Sequence, residues 1–423
     1  MGRRGRKAAQ FAKPSGDTEA REALERRWHP RLVWEPRLAP LVSAAGADRE
    51  PFHRWFHYRQ GFSPQLVREF LASIGALEST QAGRGTPHRR RGTLSYPILD
   101  PFCGSGTTII ECGRNGIPSV GVEAEEALAF LVNATVAREF PPLPDMAEID
   151  SWQDAAFQLT VPIHRVALMC AVATLHNADG RPNKGARPFR EAWARTVEFF
   201  QADLQSPIPV AHAVMVGDAR SPAFLADESI GGILTSPPYL SRYDYPRLLR
   251  PLEEVYRYGL HDFAAADGQR QLSAGPVRNR QSTQRITPSR GRRDMRSTGF
   301  ESDNEAAALV PPDAISECVD ALGSAGEALL AERVRQYFRE MFTVIQEWHR
   351  VLVPDATAWL VIGGARLKNV YIPSDLILAE FSESIGFSVE DPRVARRLID
   401  VGRRLGRLNH VSPRETIVVL RRL

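Results

Sequence analysis

The sequence predicts an α/β fold with a sheet of seven strands and helices between them. Short apolar runs alternate with segments whose apolar spacing suits helices, and strands are expected near 97–102, 118–123, 212–217, 230–236, 356–363, 387–392 and 415–421. The first of these strands runs into a glycine-rich turn that opens a helix. At 423 residues and 43% apolar composition, the chain is long enough to bury a large core.

The glycine-rich turn spans residues 100–108, with the sequence Asp-Pro-Phe-Cys-Gly-Ser-Gly-Thr-Thr. Gly104 and Gly106 tolerate positive φ and let a ligand approach the backbone. The free N–H groups at the start of the following helix suit a carboxylate. Glu123 ends the next apolar run, about 20 residues after the glycines, where an acidic side chain can accept both hydroxyls of a ribose. Turns of this kind also occur in dinucleotide enzymes.

A second loop follows the apolar run 230–235 and has the sequence Ser236-Pro237-Pro238-Tyr239. The two prolines fix two φ angles and remove two backbone donors, so a strand cannot continue through them. The carbonyl groups before and between the prolines stay free to accept hydrogen bonds. The loop therefore offers a hydroxyl, rigid carbonyls and an aromatic ring at the end of a strand, although Pro-Pro alone also suits a simple polyproline turn.

The two loops, in this order, closely resemble those of the S-adenosylmethionine-dependent DNA amino-methyltransferases, which methylate cytosine N4 or adenine N6. The Ser-Pro-Pro-Tyr form looks most like the cytosine-N4 branch, since adenine enzymes more often carry Asp or Asn at the first position. Further segments that resemble the family are 53–67, 216–220, 348–364 and 414–420. The resemblance implies a Rossmann-like class I methyltransferase fold, with a mostly parallel seven-stranded sheet and helices on both faces.

The resemblance also implies that S-adenosyl-L-methionine is the cofactor. Asp100 and the backbone from Phe102 through Gly104 to Gly106 would surround its methionine part, with Thr107 near the carboxylate. Glu123 would bind the ribose and Asp218 the adenine amino group. Phe62 and Ser63 begin a helix that would pack on the methionine end. The alternatives are a helix-start acid for Glu123 and a turn cap for Asp218.

For catalysis, the resemblance implies that Ser236 and the carbonyl of Pro237 accept the hydrogens of an exocyclic amine. Tyr239 would stack on the base, and Pro238 would set the shape of the loop. An amine that shares its lone pair with the ring is a poor nucleophile until such acceptors hold it, so positioning supplies most of the rate. In double-stranded DNA, the expected partner, the target base must flip out to reach the loop.

The domain organisation follows from the lengths of the gaps between motifs. We expect a disordered basic tail over 1–45 and one catalytic domain over 46–423, which carries a helical insertion at 140–208 and a basic insertion at 240–330. Residues 278–296 hold seven arginines among polar residues, which suits contact with phosphates or a solvated loop. The candidate DNA contacts are Arg242, Tyr243, Tyr245, Arg278, Arg280, Arg285, Arg290, Arg292 and Arg293, although the tyrosines also suit packing against a helix.

Composition is compatible with this interpretation. The net charge is +4 and only four of the 54 basic residues are lysines, which fits a polyanionic partner or a GC-rich coding sequence. The four cysteines form no Cys-x-x-Cys pair, and His53 and His57 lack a third ligand, so we expect no metal site. We find no run long enough to span a membrane and no signal peptide at the start, so we expect no membrane partner and a cytoplasmic protein that associates with the nucleoid through DNA.

The sequence therefore predicts a site-specific DNA methyltransferase that acts on cytosine N4. Adenine N6 in DNA and a base in RNA are the alternatives that use the same motifs. A protein or free-nucleotide methyltransferase and a non-catalytic binding protein are the remaining classes. A cognate restriction or defence-system partner would be compatible with the family.

Overall fold

Nine strands form one sheet within the part of the chain that the structure describes. The computed structural model describes residues 18–77, 96–137, 140–146, 149–159, 161–176, 181–183, 185, 188–205, 208, 212–240, 245–258, 313–398 and 413–423. The strand order is β1-β10-β11-β6-β5-β2-β3-β4, with β9 paired to β11. The strands are β1 Val33–Trp34, β2 Ile98–Asp100, β3 Ser119–Glu123, β4 Ala213–Val216, β5 Ile230–Thr235, β6 Leu352–Gly363, β9 Phe387–Val389, β10 Arg393–Arg397 and β11 Arg414–Arg422.

Most of the sheet is parallel. Strands β4, β3, β2, β5 and β6 run in one direction, and β11 is antiparallel to its neighbours β6, β9 and β10. A central parallel block closed by one reversed strand is the sheet of a Rossmann-like class I methyltransferase fold, which confirms the predicted fold class. The sheet has nine strands in the described residues and not the seven predicted, because β1 and β10 were not predicted. A short hairpin, β7 Ala365–Leu367 and β8 Val370–Ile372, follows β6.

Helices cover both faces of this sheet, since adjacent strand residues pack into different apolar clusters. Leu99 and Ile233 belong to a cluster with the C-terminal helices, whereas Ile98 and Leu234 belong to a cluster with the helix over 64–73. This alternation gives each buried strand two apolar faces. The helices are α1 Glu19–Trp28, α2 Pro64–Ser73, α3 Thr107–Arg114, α4 Glu126–Thr135, α5 Trp152–Gln158, α6 Pro162–Thr174, α7 Phe189–Asp203, α8 Tyr245–Arg257, α9 Asp313–Ser324, α10 Ala328–Val351 and α11 Ser374–Ile385.

The predicted insertions contain folded helices in the described residues. Three of them, α5, α6 and α7, lie within the segment 140–208, and they share an apolar cluster with α4 and α8. Two others, α8 and α9, lie within 240–330. The arginine-rich residues 278–296 fall outside the described part of the chain. Among the residues that are described, no helix combines the length and the apolar character that a membrane span needs.

The prediction of a disordered tail over 1–45 is wrong for residues 18–45. Helix α1 packs against the C-terminal half of the chain, and Trp28 is completely buried, with its indole N–H 2.8 Å from Glu380 Oε1. Arg21 pairs with Glu317, and Arg27 pairs with Glu380. The charges that suggested a solvated tail are instead used in ion pairs with residues some 300 positions later in the chain.

Strand β10 consists largely of basic residues, and it was not among the strands that the sequence predicted. Val394 and Ala395 are buried, while Arg393 places its guanidinium 5.0 Å from the ring centroid of Trp359. Arg397 lies in a similar way 5.3 Å from the ring of Trp34 on β1. The apolar positions were too few to predict a strand, because arginine side chains covering aromatic rings supply the rest of the packing.

A buried ion cluster joins α1 to the end of the sheet. Arg414 Nε lies 2.7 Å from Asp375 Oδ2, and its Nη1 lies 2.9 Å from Glu25 Oε2. Thr416 also donates to Asp375, at 2.9 Å, and the Asp375 side chain has no exposed surface. We expect Arg414→Ala to lower the free energy of unfolding by about 3 kcal/mol, because it leaves two carboxylates without their buried counter-charge. Chemical denaturation measures this directly.

Arg421→Ala is the matched control on the same strand. Arg421 pairs with Asp355 at 3.0 Å, but the two side chains are 52% and 80% exposed. An exposed pair of this kind contributes less than about 1 kcal/mol. Equal losses for the two variants would contradict a structural role for the buried cluster.

Candidate active site

The glycine-rich turn and the Pro-Pro loop leave neighbouring strands at the same edge of the sheet. Strands β2 and β5 are paired in parallel, with Ile98 opposite Gly232 and Leu99 opposite Ile233. Thr235, the last residue of β5, donates from its hydroxyl to Asp100 Oδ1 at 2.7 Å. The two predicted loops, which are 130 residues apart in the chain, are therefore tied together where the strands end.

Asp100 fixes this junction from inside the protein. Its side chain is 2% exposed, and Oδ1 also accepts the backbone N–H of Phe102 at 3.2 Å. Burial raises the pKa of Asp100 to about 6, against the opposing effect of the hydrogen bonds from Thr235, Thr108 and Phe102. The hydrogen bonds from Thr235 and Phe102 hold Asp100 at the start of the turn that was predicted to surround the methionine part of a cofactor.

The glycines of the turn occupy positions that side chains cannot share. Gly104 and Gly106 have φ angles of 55° and 82°, and Gly106 precedes the first residue of α3. A Cβ atom on Gly104 would lie 2.9 Å from Cε1 of Tyr58, and one on Gly106 would lie 2.5 Å from Cγ1 of Val132. The turn thus needs both positive φ and the absence of a side chain, as the sequence predicted.

Glu123 ends β3 beside the turn. Its Oε2 accepts the N–H of Gly104 at 2.6 Å, and its Oε1 accepts the N–H of Glu125 at 3.0 Å. Burial raises the pKa of Glu123, although the hydrogen bonds from the backbone oppose this effect. The carboxylate is half-buried at the carboxyl end of the strand next to the glycines, which is the place predicted for a ribose-binding acid.

Phe62 and Ser63 lie close to the same turn. Ser63 caps α2 by accepting the N–H of Gln65 at 3.2 Å, and Phe62 is buried. One cavity brings this segment together with the start of α3, and its lining includes Phe52, Trp55, Tyr58, Phe62, Ser105 and Thr107. The structure therefore brings Thr107 and Phe62 to one cavity, together with residues of the segment 53–67 that resembles the family.

Below this cavity, Glu111 on α3 is the centre of a buried ion network. Its oxygens lie 2.9 Å from His53 Nε2, 3.0 Å from Arg68 Nη1 and 2.7 Å from Arg114 Nη1. Burial would raise the pKa of Glu111, but His53 and the two arginines lower it to about 2. His53 is thus buried against Glu111 as a packing residue, and no cluster of three metal-binding side chains occurs among the described residues.

Asp218 follows β4 and is occupied by Arg220. The guanidinium Nε lies 2.9 Å from Oδ1 and 3.0 Å from Oδ2, and the backbone N–H of Arg220 also donates to Oδ1. The hydrogen bonds from Arg220 lower the pKa of Asp218. This is the turn cap that was the alternative to an adenine contact. An adenine amino group would have to share the carboxylate with Arg220.

The Pro-Pro loop exposes its residues to different degrees. Ser236 and Tyr239 are half-buried, Pro237 is buried and Pro238 is exposed. The Tyr239 hydroxyl donates to Glu415 Oε1 at 2.9 Å, and Arg396 Nε donates to Glu415 Oε2 at 2.6 Å. Sequence reasoning did not identify Glu415 or Arg396, because their contact with the loop depends on the pairing of the last strands.

The candidate DNA contacts are placed only in part. Tyr245 begins α8, and its side chain lies outside what the structure describes. The others fall outside the described residues, namely Arg242, Tyr243, Arg278, Arg280, Arg285, Arg290, Arg292 and Arg293. Their contact with DNA stays a prediction.

Comparison with known proteins identifies relatives that match nearly the whole chain. Type II methyltransferase M.AvaI of a Nostoc species is 23% identical over 453 residues, which cover 87% of this chain and 86% of the relative. Type II methyltransferase M.BsoBI of Geobacillus stearothermophilus is 21% identical, with 90% of this chain and 87% of the relative covered. The chain is an S-adenosylmethionine-dependent methyltransferase. No protein-family profile matches it.

Other similarities of this methyltransferase are shorter or weaker. Ribosomal RNA large subunit methyltransferase K/L of Aeromonas hydrophila is 28% identical over 201 residues, which cover 45% of this chain and 24% of that relative. Among solved structures, a SAM-dependent methyltransferase of Methanosarcina mazei aligns with 78% of this chain and 92% of its own, at 11% identity and a TM-score of 0.30.

The described residues fit S-adenosyl-L-methionine. The glycine turn packs closely against Tyr58 and Val132, and it leads directly into the N-terminus of α3. Glu123 offers a carboxylate at the end of the adjacent strand. At this edge of the sheet, the N-terminus of α3 suits the carboxylate of the cofactor, and Glu123 suits its ribose.

Proposed function

We propose that this methyltransferase modifies the exocyclic N4 amine of cytosine in double-stranded DNA. The observation that carries the proposal is the hydrogen bond between Thr235 and Asp100, which joins the two loops at the ends of paired strands. A methyl donor in the glycine turn and an amine at the Ser-Pro-Pro-Tyr loop would then meet at one edge. Ser236 at the first position of that loop supports cytosine N4 through the resemblance to the N4 branch.

The chain contributes hydrogen-bond acceptors and rigidity. Ser236 Oγ and the carbonyl of Pro237 accept the two hydrogens of the amine, which turns its lone pair away from the ring. Pro237 and Pro238 fix the loop, so these acceptors need little rearrangement when the base arrives. Tyr239 offers its ring to the flipped base, and such stacking is worth about 1–3 kcal/mol per base.

S-adenosyl-L-methionine, when bound, supplies an electrophilic methyl group on a positively charged sulfur. The loop would hold the amine nitrogen facing that methyl group, and the proton that the nitrogen loses on methylation would pass to water. Ser236 is not a strong base, so its part is to orient the amine and not to remove the proton. All four cysteines of the chain are buried, and burial raises the pKa of the Cys103 thiol near the turn. This supports direct transfer without a covalent enzyme–base intermediate.

DNA as the substrate is supported by the relatives as well as by the loops. M.AvaI and M.BsoBI are Type II methyltransferases and are matched over most of their length. We propose that a cognate restriction activity accompanies this protein, as the modification of a specific DNA site would protect it from cleavage. The basic residues of 278–296 remain our candidate for contacts with phosphates.

Identification of the methylated nucleoside tests the proposed substrate and the proposed base. The purified protein is incubated with labelled S-adenosylmethionine and either duplex DNA or ribosomal RNA, and the digested nucleosides are identified by mass spectrometry. We expect N4-methylcytosine from DNA. N6-methyladenine from DNA would overturn the choice of base alone.

Label confined to RNA would overturn the DNA proposal and favour the RNA alternative. That alternative is supported by similarity to ribosomal RNA large subunit methyltransferase K/L of two Aeromonas species, which covers 45% and 52% of this chain. The same reaction with both nucleic acids present in one tube compares them directly, because a true preference persists under competition.

A further inference from the structure

Tyr239 is held at its hydroxyl by a row of residues that crosses three neighbouring strands. Glu415 on β11 lies directly opposite Gly363 on β6 and opposite Arg396 on β10. Glu415 is 2% exposed, and its two oxygens are divided between Tyr239 and Arg396. The row lies at the carboxyl end of β6, which is the edge where the Pro-Pro loop also emerges.

The position of Arg396 depends on an irregularity in β10. The pairing of β10 with β11 shifts register between Val394 and Arg396. A bulge of this kind turns a strand and redirects the side chain that follows it. Here the Arg396 guanidinium lies 2.6 Å from Glu415 Oε2. The Glu415 carboxylate is therefore paired with a positive charge in addition to its hydrogen bond with Tyr239.

Gly363 provides the space for the ring. A Cβ atom at this position would lie 2.9 Å from Cε2 and 3.1 Å from Cδ2 of Tyr239, and 3.0 Å from Leu398 Cδ1. The ring therefore rests against the backbone at the end of β6. Contact at the ring edge and a charge-assisted hydrogen bond at the hydroxyl leave the tyrosine little freedom.

We propose that Gly363, Glu415 and Arg396 form a tyrosine socket, which sets the orientation of Tyr239 before the target base arrives. These are positioning residues, and the inference rests on the proposed function only in the identity of the base. A ring that is already fixed does not lose further side-chain entropy when the base binds. Rigid support of a residue that contacts the substrate also keeps the loop in the geometry that transfer requires.

Tyr239→Phe, Glu415→Ala and the double variant test the hydrogen bond. We expect each single variant to lower the single-turnover rate of methyl transfer by about tenfold, with unchanged affinity for S-adenosylmethionine, because each removes the same charge-assisted bond. The double variant should be no slower than the slower single variant, since no shared bond remains to be lost. Glu415→Gln keeps an acceptor for Tyr239 and should recover most of the rate.

Gly363→Ala tests the space for the ring, and Gly364→Ala is its matched control. A Cβ atom on Gly364 would meet its nearest neighbours at 3.5 Å, which is ordinary contact. We expect Gly363→Ala to slow transfer and Gly364→Ala to leave it unchanged. Equal rates for the two variants would overturn the part of the proposal that concerns Gly363.

Hydrogen–deuterium exchange of a peptide that contains 236–240 separates the socket from the choice of substrate. We expect the amides of Tyr239 and Leu240 to exchange faster in Tyr239→Phe and Glu415→Ala than in the wild type. Unchanged exchange and unchanged transfer in Glu415→Ala would overturn the socket. A wild-type protein that methylates no DNA base would overturn the proposed function. The comparison of exchange between the wild type and the variants would still show whether the socket holds Tyr239.

Discussion

Gly106→Ala is expected to lower the affinity for S-adenosylmethionine by on the order of a hundredfold, because two costs add at one position. A φ angle of 82° costs an alanine about 1–2 kcal/mol relative to glycine. The new Cβ atom would also lie 2.5 Å and 2.7 Å from the two methyl groups of Val132, and such overpacking costs about 1–3 kcal/mol. Relief of both costs moves the start of α3 and the turn that faces the cofactor. Isothermal titration with S-adenosylmethionine measures the loss.

Gly323→Ala is the control for this change. Gly323 lies in α9 with no atom within 4 Å of an added Cβ, and its φ angle is not in the positive range. Alanine there should leave cofactor affinity unchanged and should favour the helix by about 1 kcal/mol. If Gly106→Ala bound the cofactor as the wild type does, the turn would not be the cofactor site. A Val132→Ala change in the Gly106→Ala background should restore part of the affinity, since it removes the steric conflict.

The central strands and the glycine turn were predictable because their signals are local. Each of these features can be recognised from a few consecutive residues. Examples are the apolar run 230–235, the turn with glycines at 104 and 106, and the acid at the end of the next strand. The structure places these strands, the turn and the acid at the expected positions along the chain, whereas the order of the strands in the sheet was not predicted.

The N-terminal helix could not be predicted in the same way. Arg21 pairs with Glu317 on α9, and Trp28 donates to Glu380 on α11, about 300 residues or more away. A charged, short amphipathic segment carries no local sign of such partners, and its helix is stabilised mainly by tertiary contacts. The same limit explains why the sequence did not predict strand β10. Its arginines are covered by Trp34 and Trp359 from other elements.

The site was predictable in its residue types but not in its pairings. The Gly-Asp-Ala-Arg segment allowed two interpretations of Asp218, and only the fold shows that Arg220 occupies both oxygens. Glu415 was predicted to lie in the closing strand, yet nothing in the sequence connected it with Tyr239. Such pairs depend on strand order and register, which bring distant residues to one edge.

Ser236→Ala is expected to lower the turnover number by about 10²–10³, while the affinity for S-adenosylmethionine changes little. In our proposal the Ser236 hydroxyl accepts a hydrogen of the amine, a contact that strengthens as positive charge develops on nitrogen. Asp100, Glu123 and Tyr58, which contact or form part of the cofactor turn, do not change in this variant. Steady-state kinetics with DNA and a separate titration with the cofactor measure the two effects independently.

Ser229→Ala, at the opposite end of β5, provides the same chemical change away from the site. Its hydroxyl donates to the carbonyl of Ala226 at 2.6 Å, in an exposed turn, so it should affect turnover by less than twofold, within about 0.5 kcal/mol. If Ser236→Ala weakened cofactor binding as strongly as turnover, Ser236 would support the cofactor loop and not the amine. A loss confined to turnover requires that the hydroxyl acts on the transition state, because an interaction made equally in the ground state would change only the apparent affinity.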